Sequence, residues 1–512
     1  MNKKASLRKG LCLLTASLLL LGGCSSKVTP TTSAVTLAPA LSQYTTPYGT
    51  GDLTYEATVT LYLPSADGQS LLAEYVSLSL DRLSTGIEEV VSALLAYPAN
   101  SRVRSLGGGT ALSLYGKNPV ELSGGVCTVN LSSSALQLEH EELYTVCLSL
   151  AATLAAFRDV SYVNVLVCDQ SVGLDVAGYL PVGAVTAHLG EELPTLWELM
   201  DARRTPLGES AADTPLSATA TLYFPTADGT GIMPETRNIT FSGQTPSQLA
   251  SGLLTALSAG AQYLTEICTM PDITSLLTQE PVTSEQADGS RLITLHFTSD
   301  LESRLELIGI EPMCFTAAVV TTLTTFIPSV SSVCIVSGST MMTSLYSRSL
   351  GSLTFHNGNQ KRSQYIHLHR EQVSVYLAQD GLLVPVTRTV AASDAESLPL
   401  YLALLSEGPT QEEAARGITA TVPSGWTEED VLGMAVDGDT LLLHLTEKCA
   451  LGITHSDQDE QLLCYSLVTT LCRAANLKRV RFWFAGDIEQ TLAGDLYWGG
   501  EFILNPGMIR GN

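Results

Sequence analysis

Few residues in this chain could do chemistry. His367-Leu368-His369 sets two imidazoles two residues apart, on one face of a strand, with His356 upstream. A metal ion held by histidines needs such a spacing. Exposed strand or loop histidines are the plainer reading. Asp457, Asp459 and Glu460 cluster at a helix start. Carboxylates there favour the positive end of the helix dipole. A calcium loop would also need a glycine and a more distant glutamate, which the sequence does not place. His296 and His444 occupy matching outward positions of two strands and read as solvated sheet residues. There is no nucleophile elbow, phosphate loop, H-E-x-x-H or C-x-x-C pair. The reading is therefore of a non-enzyme, with no catalytic, cofactor-binding or metal-binding residue.

The eleven cysteines divide into three sets. Cys12 lies in an apolar run, residues 11–21, behind the basic residues Lys3, Lys4, Arg8 and Lys9. That run is too short to span a bilayer and reads as a secretion signal. It ends in Leu21-Gly22-Gly23-Cys24, which is similar to the bacterial lipobox. We therefore expect residues 1–23 to be a lipoprotein signal peptide and Cys24 to carry the lipid. The chain would then sit on the extracytoplasmic face of the cell membrane. A plain signal peptide cut nearby, or a short uncleaved anchor, is the alternative. The remaining nine are Cys127, Cys147, Cys168, Cys268, Cys314, Cys334, Cys449, Cys464 and Cys472. Most fall at apolar positions and read as small buried hydrophobes. A disulfide within one repeat stays open.

Acidic residues outnumber basic ones 51 to 27, for a net charge of −24, so nucleic acid would be repelled. Residues 24–54 are rich in Ser, Thr and Pro, almost uncharged and without periodicity. They read as a flexible tether.

The elements behind these residues come in threes. Val59-Thr60-Leu61-Tyr62-Leu63-Pro64, Ala220-Thr221-Leu222-Tyr223-Phe224-Pro225 and Val373-Ser374-Val375-Tyr376-Leu377 alternate apolar and polar, then break at Asp-Gly. Each predicts a half-buried strand entering a turn, with Tyr62, Tyr223 and Tyr376 on the face away from the helices. A helix follows each strand. Thr85 and Glu88, and Thr245 and Gln248, have capping-box spacing, and Ser397 stands where a cap would. A central strand comes next, with Asn130, His296 or His444 pointing outward. Then comes a long apolar helix passing through Thr153-Leu154, Thr322-Leu323 or Thr470-Leu471. A last strand closes each set. The economical packing is two helices on one face of a small sheet. Residues 189–216 and 341–371 read as linkers. After Gly486 comes an extension containing Tyr497, Trp498 and Phe502.

Taken together, residues 62–68, Val129-Asn130-Leu131-Ser132, Leu404-Leu405-Ser406-Glu407-Gly408-Pro409 and Thr470-Leu471 resemble the GerM domain of sporulation and spore germination. The resemblance spans most of the chain as three tandem copies. These would be residues 55–188, 217–340 and 372–512, the last with the extension. It implies an α+β fold: two helices on one face of a mixed three- to four-stranded sheet, similar to the ring-building motif. It also implies a non-enzymatic scaffold in the envelope, with sporulation-complex or other envelope proteins as partners and oligomers in play. Binding or modification of peptidoglycan is the alternative.

Overall fold

The computed structural model describes residues 30–31, 54–81, 86–157, 160–171, 183–187, 189–201, 215–395, 397–437, 439–453, 457–475, 477–485 and 496–511. The signal segment 1–23, Cys24 and nearly all of the tether lie outside the described residues. Within the tether, Pro30 and Thr31 pair antiparallel with Val76 and Tyr75.

The structure is mixed α+β, and one order of elements recurs in three stretches. Each opens with a long antiparallel hairpin. The pairs are Thr54–Pro64 with Leu71–Asp81, Leu216–Pro225 with Ile232–Phe241, and Arg370–Gln379 with Leu382–Ala391. The Asp-Gly turns fit the short connection because Gly68, Gly229 and Gly381 take positive φ of 73°, 69° and 78°. A helix follows: Ile87–Leu95, Pro246–Ser258 or Leu398–Glu407. Each stretch then builds a separate sheet around two parallel strands. These are Val126–Leu131 beside Tyr162–Val167, Arg291–Phe297 beside Val330–Ser337, and Thr440–Leu445 beside Arg479–Phe484. Antiparallel strands flank each pair. The crossover is the long helix: His140–Leu154, Pro312–Phe326 or Asp457–Ala474. It packs on both the opening strand of the hairpin and the last parallel strand. Among the described residues no single helix is long and apolar enough to cross a membrane.

The expected order of strands and helices is present, but the opening strand is not in the sheet with the others. It pairs with a second strand that the alternation did not reveal. In the first two stretches that strand turns a charge inward, Glu74 opposite Leu61 and Glu235 opposite Leu222. Both are buried and bonded. Glu74 accepts from the Tyr97 hydroxyl and pairs with Arg102, each at 3.2 Å. Glu235 accepts the backbone N–H groups of Gln262 and Tyr263 at 2.8–3.0 Å. In the third hairpin Arg388 plays the reciprocal part, in a two-pronged pair with Glu413 at 2.9 Å.

The capping expectations divide. Thr245 and Gln248 form the full box, with Pro246 in the first turn. Replacing Thr245 by Ala should cost about 1 kcal/mol, read as a shift in the urea midpoint. The first helix instead begins behind Gly86, and Thr85 lies outside the described residues. Ser397 sits at the cap position without a side-chain cap bond.

Three apolar cores form, one per stretch, and they reach into both segments read as linkers. Leu193 and Leu196, on helix Leu193–Asp201, enter the first core. Trp197 Nε1 donates to Thr145 Oγ1 at 3.2 Å. Leu345, Phe355, Tyr365 and Leu368 enter the middle core, and Asn359–Gln360 adds a strand beside Val330–Ser337. Their irregular spacing offers no period to read. The extension also joins the fold: Glu501–Ile503 pairs antiparallel with Arg479–Phe484.

Candidate functional site

The same bond holds each hairpin to its long helix. Backbone N–H groups of Tyr62, Tyr223 and Tyr376 donate to Thr153, Thr322 and Thr470 Oγ1, each at 3.0 Å. These N–H groups point away from the partner strand, so a sheet would satisfy them with another strand. Here a buried threonine hydroxyl does so, which explains why each long helix carries a Thr-Leu pair. Thr322→Val keeps the shape but strands the Tyr223 N–H. It should cost about 1–3 kcal/mol in urea unfolding, whereas Thr322→Ser should cost much less.

The residues singled out for chemistry do not assemble. His367 lies in the 3₁₀ turn Ile366–Leu368, not on a strand, so it does not share a face with His369. His367 and His356 are exposed, while His369 is buried. Among the described residues no group of three or more His, Cys, Asp or Glu could hold a metal ion. His444 is buried rather than solvated, and burial lowers its pKa; His296 is half-buried. Asn130 is buried too. Its amide donates to Asp169 at 2.8 Å and accepts from the Asp169 N–H at 3.0 Å, fixing a turn where Cys168 and Asp169 have positive φ. Asp459 is exposed at the helix start, but Glu460 is buried and accepts from Trp498 Nε1 at 2.8 Å. None of the nine described cysteines is in a disulfide, and seven are buried. Tyr62 and Tyr376 are half-buried, whereas Tyr223 is fully enclosed.

Tyr223 marks where the three stretches meet. On the first sheet, Glu121 reaches Arg362 Nη2 through Oε2 and His369 Nδ1 through Oε1, both at 2.5 Å. The Tyr223 ring lies 5.1 Å from the His369 ring. Burial raises the pKa of its hydroxyl, and the Arg362 guanidinium acts against that. Burial alone would also raise the Glu121 pKa, but His369 and Arg362 outweigh it and hold the carboxyl down at about 2. Around this group, Ser123 Oγ donates to the Arg370 carbonyl at 2.8 Å, and the Gly124 N–H donates to the Glu371 carboxylate. Asn164 donates to Thr221 Oγ1 at 3.1 Å. Arg370 Nη2 donates to the Thr230 carbonyl at 2.6 Å. The contact is close: a Cβ on Gly231 would lie 2.0 Å from the Leu368 carbonyl oxygen.

This joint can hold neighbours in fixed relation. Its centre, at Tyr223, Arg362 and His369, is buried. A cavity of about 20 Å³ at the same seam, lined by Cys147, Asn164, Ser171, Thr325 and Phe326, has room for about one water. Sequence reasoning missed Glu121 and Arg362. They stand 241 positions apart, and neither carries a local motif.

Repeated hairpin-and-sheet units, with three cores sewn together by buried polar contacts, define a multi-module α+β protein. The first and third stretches match the GerM family. The family model described as Germane, sporulation and spore germination, matches residues 60–172 and 374–489. Among solved structures, the chain is similar to the tandem GerMN domains of the sporulation protein GerM from Bacillus subtilis. The identity is 15%, over 60% of this chain and 99% of that one, with a TM-score of 0.22. The first GerMN domain of the same protein matches at 17% identity, over 23% of this chain and 86% of that one, with a TM-score of 0.19. No curated protein matches.

Proposed function

We propose that the chain is a non-enzymatic, lipid-anchored scaffold of sporulation or spore germination, built from three GerM-like domains at 55–188, 217–340 and 372–512. The threefold threonine latch carries this reading. The middle stretch lies outside the two matched regions, yet it repeats their hairpin, latch and parallel strand pair. The joint around Glu121 then makes the three domains one array, able to present partner surfaces at fixed spacing. Cys24 would hold the array at the outer face of the membrane.

The test is affinity capture of the full chain from sporulating cells, beside a Cys24→Ser variant. The expected result is a membrane-associated chain that brings down envelope proteins, with membrane association lost in the variant. Recovery of no envelope protein, together with sedimentation of the chain on purified peptidoglycan, would replace the scaffold by a wall-binding protein.

A further inference from the structure

We propose that Cys268 and Cys314 are a redox pair, able to close a disulfide across the Asp-Gly turn of the middle hairpin. Cys268 Sγ lies 3.4 Å from the Thr226 carbonyl oxygen, and Cys314 Sγ lies 3.5 Å from the Gly229 carbonyl oxygen. Thr226 and Gly229 are the two ends of one tight turn, closed by the Gly229 N–H on the Thr226 carbonyl at 3.0 Å. Both sulfurs therefore lie against the backbone of the same four-residue turn, and a disulfide needs their Cα atoms about 4.4–6.8 Å apart.

The first domain shows what the middle one has replaced. The bridges Ser65–Val103 and Thr226–Ile267 are equivalent, so Cys268 stands where the first domain has Arg104. Arg104 acts electrostatically on Asp67 of its own turn. In the middle domain Arg370 acts instead on Asp228, and the vacated position holds a thiol.

The chemistry requires a small-molecule disulfide as oxidant. The Cys268 sulfur attacks it, forming a mixed disulfide and releasing one thiol. The Cys314 sulfur then attacks the Cys268 sulfur and releases the second thiol, so two protein thiols and one oxidant disulfide become one protein disulfide and two small thiols. Cys268 is half-buried and Cys314 buried, which sets that order. Burial pushes Cys314 up to about 12 and also raises Cys268, so closure should be slow at neutral pH. Closing the bridge would tie residues 262–268 to the long helix, beside the turn that Arg370 grips.

The test treats the full chain with oxidised glutathione, alkylates the remaining thiols and maps the peptides. The expected product links Cys268 to Cys314, leaves the other seven described cysteines alkylated, and reverts with dithiothreitol. Backbone amides of residues 262–268 should then exchange several-fold more slowly than in the reduced chain. Cys268→Ser, at a half-exposed site, should abolish the linkage while leaving the unfolding midpoint unchanged. Glutathione retained on Cys268 with Cys314 still alkylatable, or Cys268 linked to another cysteine, would overturn the pair.

Discussion

Glu121→Ala should destabilise the chain by about 3–5 kcal/mol, among the largest losses from a single truncation outside the apolar cores. It removes the carboxylate shared by Arg362 and His369, both only 2% exposed, and leaves a guanidinium buried without its counter-charge. Urea unfolding of variant and parent gives the measurement. Replacing Glu121 by Leu and Arg362 by Met together should recover much of the loss, because a buried pair rarely outperforms well-packed apolar groups. A neutral Glu121→Ala would mean that the joint does not hold the domains.

The same carboxylate sets a pH dependence of known sign. Its folded pKa is held at about 2, below the usual 4.5. The folded state therefore binds this proton less readily than the unfolded chain. The stabilisation is fully present above about 4.5 and is lost as pH falls from there towards 2. That gap corresponds to about 3 kcal/mol at 1.36 kcal/mol per pH unit. The urea midpoint of the parent should fall more steeply than that of Glu121→Gln between pH 5 and about 3, and equal slopes would refute the assignment.

Trp498→Ala should cost the third stretch about 3–5 kcal/mol. The indole is 1% exposed and meets the rings of Phe482, Phe484 and Phe502 at centroid distances of 5.2, 5.7 and 5.9 Å. Its N–H also donates to buried Glu460. Trp498→Phe keeps most of the ring contacts and loses the hydrogen bond, so it should fall between variant and parent. Near-ultraviolet circular dichroism and urea unfolding separate the three. A wild-type midpoint for Trp498→Ala would make the extension an appendage rather than part of the core.

Much of the fold was legible because the core writes itself as periodicity. The opening strands, both helices of each unit and the central parallel pair all carry an apolar stripe with a clear period. The second hairpin strands escaped because Glu74 and Glu235 face inward and break the alternation that marks a strand. The segments read as linkers escaped because Leu345, Phe355, Tyr365 and Leu368 dock singly from irregular backbone. The joint was the least legible part. Its members come from three stretches and meet only in space, so His369 read as an exposed strand or loop histidine rather than as the buried partner of Glu121. Trp498 was noticed, but its bond to Glu460 forms only across the fold.

The threonine latch bears on how such chains behave when crowded. An opening strand with bare outward amides would be a template for the next molecule's strand, the usual start of runaway stacking into insoluble aggregates. A side-chain hydroxyl already occupies one such amide on each hairpin, towards the turn end of the strand, so a foreign strand could not pair along its full length. Many copies can therefore share a small area without seeding one another's precipitation.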